Sequence, residues 1–183
     1  MADSHEQAPP ILSHVVSLRD GVDPLTGRIE ANEKQRAELA ALLGLENLGS
    51  LSFDYRLDPA ADDRYRLTGK LDARLTQLCV ITLDPVAEHV EEQIAVECWP
   101  EEQIEAGDEE AEADVDIGEL PDDPPVPIIG GKIDLGAFAA EILASAINPY
   151  PRREDAEFKW DDPKAAASAS GPFAGLMKWK TKR

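Results

Sequence analysis

Hydrophobic and polar residues alternate with a period of two through the middle of the chain. Leu51, Phe53, Tyr55 and Leu57 interleave with Ser52, Asp54, Arg56 and Asp58. After a polar turn at Pro59 to Asp63, Tyr65, Leu67, Gly69, Leu71, Ala73 and Leu75 interleave with Arg66, Thr68, Lys70, Asp72, Arg74 and Thr76. A strand sends successive side chains to opposite faces, so this spacing predicts two half-buried strands. Asp84-Pro85 marks a turn, and Val86, Val90, Ile94, Val96 and Cys98 resume the alternation up to Trp99-Pro100. Three such strands in succession predict an antiparallel meander with one dry and one wet face. Upstream, Ile11 to Leu18 reads as a further short strand through Val15, Val16 and Leu18, with turn chemistry at Asp20-Gly21 and Asp23-Pro24.

Helical spacing appears twice. Ala37, Leu39, Ala40, Leu42 and Leu43 follow Asn32, an N-cap residue, and Gln35 stands three positions on, where a capping box needs it. Gly44 occupies the place of a C-terminal glycine, so a helix over Glu33 to Leu43 is predicted. Later, Asp134 precedes a stripe of Leu135, Phe138, Ala139, Ile142, Leu143 and Ala146, predicting a second helix to Ile147 that Pro149 and Pro151 terminate. The fold class is therefore α+β: an antiparallel sheet from about Ile11 to Trp99 packed by two or three helices. Residues 1–151 are expected to form a single domain.

Charge changes that picture in two places. The chain carries 18 Lys and Arg against 37 Asp and Glu, a formal net charge of −19. A field of that sign repels phosphate backbones and attracts basic proteins. Between residues 101 and 127 stand 12 acids, no basic residue and four prolines. Such a segment buries too little apolar surface to offset its ordering entropy, so an acidic mobile loop is expected, with docking of a basic protein as its alternative role. It lacks the alternating Asp pattern of a calcium loop. The other place is the end of the chain. Residues 152–183 are expected to form a flexible tail that turns basic and aromatic, with Phe173, Leu176, Met177 and Trp179 beside Lys178, Lys180, Lys182 and Arg183. Phe173, Leu176, Trp179, Lys178, Lys180, Lys182 and Arg183 are the candidate partner-binding residues. They suit ribosomal RNA or a ribosomal protein, or could rest on the domain's own acidic surface; a membrane-surface helix fits a short Gly-Pro-preceded segment less well.

Three stretches, in order, resemble the YceD family: Leu75-Thr76-Gln77-Leu78-Cys79-Val80-Ile81-Thr82-Leu83-Asp84-Pro85-Val86; Ile133-Asp134-Leu135-Gly136 with Ala140-Glu141 and Asn148-Pro149-Tyr150-Pro151; and Gly171-Pro172-Phe173-Ala174-Gly175-Leu176. The resemblance implies a ribosome-biogenesis factor supporting accumulation of large-subunit (23S) ribosomal RNA. The partner it implies is a ribosomal protein or pre-ribosomal particle, with ribosomal RNA itself possible. The alternative is an acidic module that chaperones a basic ribosomal protein, its effect on RNA indirect. Many members of the family carry Cys-x-x-Cys at the central turn; here Thr82 replaces the second cysteine. Structural zinc needs about four N or S ligands, and two Cys with scattered His5, His14 and His89 do not supply them, so no metal site is expected.

No catalytic signature is present. Gly130-Gly131 lacks the Lys-Ser/Thr of a phosphate loop, and there is no Gly-x-Ser-x-Gly elbow. Binding rather than catalysis is the expectation, with no cofactor and no small-molecule substrate. Cys79, inside an apolar run, is expected to be a packed, unreactive thiol, and His89 a solvated surface residue. Two cysteines, no run long enough to span a bilayer and an N-terminus without an apolar stretch favour a cytoplasmic protein with free thiols.

Overall fold

The computed structural model describes residues 10–18, 23–104 and 124–158. In chain order these form β1 (Val15–Ser17), β2 (Leu25–Glu30), α1 (Glu33–Leu43), β3 (Asn47–Pro59), β4 (Tyr65–Leu78), β5 (Pro85–Pro100), β6 (Val126–Ile128), β7 (Lys132–Asp134) and α2 (Leu135–Ala146). The main sheet has five strands in the order β2-β3-β4-β5-β6, antiparallel except for the parallel pair β5–β6. The predicted meander is its centre. Leu57, Leu67, Leu71 and Ala73 have no exposed surface and Phe53 has 1%, so the apolar half of the alternation is the core. The helices cover this face: α1 packs on β3, α2 on β4 and β5, and the rings of Phe53 and Phe138 meet at 6.3 Å. Among the described residues, no helix is long and apolar enough to cross a membrane.

Local chemistry sets both helices. The Asn32 side chain accepts from the Gln35 N–H at 3.0 Å, and the Gln35 side chain accepts from the Asn32 N–H at 2.9 Å. Gly44, at φ 67°, closes α1 in the left-handed region. At α2, Asp134 accepts from the N–H groups of Gly136 at 3.0 Å and Ala137 at 3.1 Å. The same carboxylate accepts from Ser13 Oγ at 2.7 Å and the His14 N–H at 2.8 Å, tying the N-terminal segment across the helix start. Gly136 permits that approach, since a Cβ there would lie 2.6 Å from the His14 nitrogen.

Several expectations are corrected. The strand expected within Ile11 to Leu18 exists as β1, but it pairs with β7 in a separate two-stranded sheet and not with the meander. β2 was not expected: Gly27 interrupts its apolar alternation because the Tyr55 ring lies over it, 2.5 Å from where a Cβ would be. Within the span 101–127 expected as a mobile loop, residues 101–104 are helical and Val126–Ile128 forms β6, while 105–123 lie outside the described residues. The start of the expected tail is docked, because the Val80 N–H donates to the Pro151 carbonyl at 2.9 Å and Arg153 reaches Asp84 at 3.1 Å.

Burial opposes ionisation of Asp134, but hydrogen bonds from Ser13, His14, Ala137 and Gly136 outweigh it and hold the carboxyl below its ordinary value of 3.8. A depressed carboxyl pKa stabilises the fold above that ordinary value, and the contribution is lost as pH falls through the lower folded value. Asp134→Ala should cost about 2 kcal/mol in urea unfolding, the upper range for a helix cap. It should also speed amide exchange both at the start of α2 and in residues 10–18. Faster exchange in α2 alone would contradict the shared anchor.

Candidate functional site

Phe173, Leu176, Lys178, Trp179, Lys180, Lys182 and Arg183, the residues singled out by sequence, lie outside the described residues, as does the acidic stretch 105–123. Within the described residues, chemistry gathers at three places: the β4–β5 turn, the open face of the sheet, and the outer edge of β5.

At the turn, the Cys79 N–H donates to the Asp84 carbonyl at 2.8 Å and the Leu83 N–H to the Cys79 carbonyl at 2.9 Å. Leu83 takes φ 59°, a costly position for a branched residue, with its side chain 70% exposed. Cys79 is buried, as expected, but for a different reason. It stands outside the main core, covered by its own turn and by the segment through Arg153. Its Sγ accepts from the Thr82 side chain and from the N–H groups of Arg153, Thr82 and Ile81, which bring the thiol down from 9.0 to about 7. The burial is as expected; the donors of the turn add a pull toward the thiolate that the apolar run did not suggest. Cys98, in the core, is pushed up to about 12 by burial. The two are free and stand at opposite ends of β4, Cys98 opposite Tyr65 and Cys79 just past Leu78. That separation rules out a disulfide between them.

The open face carries the polar half of the alternation. Arg28 bonds Glu30 at 2.7 Å and Asp54 at 2.8 Å, and Arg56 bonds Asp58 at 2.7 Å. Lys70 bonds Glu91 at 2.5 Å and His89 meets Asp72 at 2.8 Å. Arg66 lies between Asp58 and Glu97 in register. Cations and acids thus alternate across the strands. Asp72, His89 and Glu91 bring one ligand atom each within 4.8 Å of one another. With Lys70 on Glu91 and the imidazole on Asp72, their donor atoms are spent on pairing. His89, expected to be merely solvated, is half of such a pair.

The edge of β5 was not legible in sequence. A groove of about 340 Å³ lies between residues 92–96 of β5 and Ile142, Ser145 and Ala146 of α2. The one available signal was the run of Glu88, Glu91, Glu92 and Glu97 in a strand without Lys or Arg.

A long antiparallel meander with one charge-paired face, and with outer edges at β2 and along most of β5 that no strand among the described residues pairs, defines an α+β protein built over a dry core. The chain belongs to the family described as "Large ribosomal RNA subunit accumulation protein YceD", whose profile matches residues 67–176, more than half of its length. The match runs from β4 through α2 and ends at Leu176, before Lys178 and Trp179. The family's description ties the chain to accumulation of large-subunit ribosomal RNA, as the resemblance implied. No curated protein and no solved structure gave a significant match.

Thiol chemistry tests the turn. Alkylation should modify Cys79 before Cys98, with a pH midpoint near 7, the value the hydrogen bonds set. Thr82→Val should move that midpoint up. Because the folded thiol pKa is depressed, its stabilisation is present above the ordinary value of 9.0 and lost as pH falls through about 7. Thr82→Val should therefore destabilise the protein more at pH 9 than at pH 6. An unchanged midpoint would contradict the assignment.

Proposed function

We propose that the protein supports accumulation of large-subunit ribosomal RNA by binding, without catalysing a reaction, and that its direct partner is a basic ribosomal protein. The observation that carries this reading is the distribution of charge. The formal net charge is −19, and on the open sheet face Arg28 is engaged by Glu30 and Asp54, Arg56 by Asp58 of its own strand and Lys70 by Glu91, while Arg66 and Arg74 make no ion pair among the described residues. A phosphate backbone approaching that face would have to displace an existing carboxylate from Arg28, Arg56 and Lys70, and would find only Arg66 and Arg74 without one. A lysine-rich protein meets the opposite situation, with acids in excess and no like charge to dislodge.

The second reading gives the RNA itself as partner, through the tail. After Asp162 the chain has no acid and carries Lys164, Lys178, Lys180, Lys182 and Arg183. At a Debye length of about 8 Å, a tail extending beyond the domain would feel mainly its own charge. Trp179 would add base stacking of about 1–3 kcal/mol. The small number of cations against a large negative field favours the protein partner.

Binding of purified full-length protein to large-subunit ribosomal proteins and to 23S RNA fragments separates the two. Neutralising the acids between Glu101 and Asp123 should weaken protein binding and flatten its salt dependence, while removal of Lys178 to Arg183 changes it little. RNA binding abolished by removal of the tail, with no affinity for ribosomal proteins, would establish the second reading instead. Tight RNA binding that survives loss of the tail would contradict both.

A further inference from the structure

β5 is 16 residues long, yet β6 pairs only with Cys98, Trp99 and Pro100. Along residues 85–97, every second residue directs its N–H and C=O away from β4. Among the described residues no backbone group of the chain pairs with them. This is a sheet edge able to accept another strand. α2 runs beside it, and the groove between them has apolar walls in Ile94, Val96, Ile142 and Ala146. An edge strand flanked by a helix suits strand addition: main-chain bonds hold the incoming segment, and its alternate side chains enter the groove.

The lane is already used at one end, by β6 in the parallel direction. Pro124 and Pro125, just before β6, have no N–H to donate, and among the described residues the pairing begins only at Val126. Charge selects the occupant. β5 carries Glu88, Glu91, Glu92 and Glu97 and neither Lys nor Arg. Glu92 stands opposite the fully buried Leu71, on the core side of the sheet, where it borders the groove. It makes no ion pair among the described residues. Glu141 is exposed on α2. A second copy added edge to edge would oppose glutamates to glutamates, and a nucleic acid would meet the same repulsion.

We propose that the outer edge of β5 binds an extended, lysine- or arginine-rich segment of a partner protein by strand addition, alternate side chains of that segment lying between β5 and α2. The proposal rests on the protein-partner reading and specifies where that partner docks.

A labelled peptide of alternating lysine and valine is the probe, with two versions N-methylated at alternate amides, one in each register. Anisotropy titration of the full chain should show binding that falls about tenfold on methylation in one register and little in the other, as loss of several backbone hydrogen bonds requires. Glu92→Lys, at an exposed position, and Ser145→Trp, which fills the groove from the helix side, should each weaken it by a similar factor. Amide exchange should slow along residues 85–97. Equal binding of both methylated peptides would reduce the effect to charge alone and overturn the proposal, as would absence of binding or protection elsewhere. Concentration-dependent protection of the same edge without peptide would assign it to a second copy, and protection by single-stranded RNA to a nucleic acid. If Glu92→Lys and Ser145→Trp bind whole ribosomal proteins as the unaltered chain does, the edge is rejected while the protein-partner reading stands. If the unaltered chain binds none, that reading itself fails.

Discussion

The structure depends on the register of β4 between β3 and β5. Leu67, Leu71, Ala73 and Leu75 face the core, and Arg66, Lys70, Asp72 and Arg74 face solvent, on one continuous strand. A slip of one residue would bury the second set and expose the first, so the alternation leaves a single acceptable pairing. That pairing sets two faces at once. It closes a dry surface for α1 and α2 to cover, and it lines up Asp54, Lys70, Glu91 and their neighbours into cross-strand ion pairs. Exposed pairs of this kind contribute little to stability. They do occupy Arg28, Arg56 and Lys70, which leaves Arg66 and Arg74 as the cations of that face without an ion pair among the described residues.

The N-terminal segment meets the meander through Leu12 in the core and His14 on Tyr55, and has a further anchor at α2. Asp134 serves as helix cap and as acceptor for Ser13 and His14, so the start of α2 and β1 are held by one carboxylate. Opposite it, at the β4–β5 turn, the backbone N–H groups of Ile81, Thr82 and Arg153 converge on one sulfur. The Thr82 side chain is the largest of the influences that favour the Cys79 thiolate.

What could be read from sequence divides by range. α1 was legible to the residue because its signals lie within a dozen positions: Asn32 and Gln35 at one end, Gly44 at the other. α2 and its Asp134 cap were equally local. The meander was legible because each strand carries its own alternation. β2 was hidden by Gly27, whose missing side chain makes room for Tyr55, a residue 28 positions away in register terms that no local pattern reveals. The pairing of β1 with β7 joins segments more than a hundred residues apart, and β6 is a three-residue strand containing Pro127. The groove at β5 follows from which strand lacks a neighbour, a property of the whole sheet. Cys79 showed its burial in the sequence but not its ionisation, which the donors of its turn determine.

As proposed, this acidic sheet protein, in which Arg28, Arg56 and Lys70 are already paired, holds a basic protein on behalf of the ribosomal RNA whose accumulation its family supports. Zero-length carbodiimide crosslinking in living cells, which joins carboxylates to amines, combined with ultraviolet crosslinking of RNA, tests this most directly. The account predicts bonds from glutamates of β5 or acids of residues 101–123 to lysines of large-subunit ribosomal proteins, with little RNA attached by ultraviolet light. Abundant 23S RNA crosslinked to the chain, with no ribosomal protein joined to its carboxylates, would contradict it.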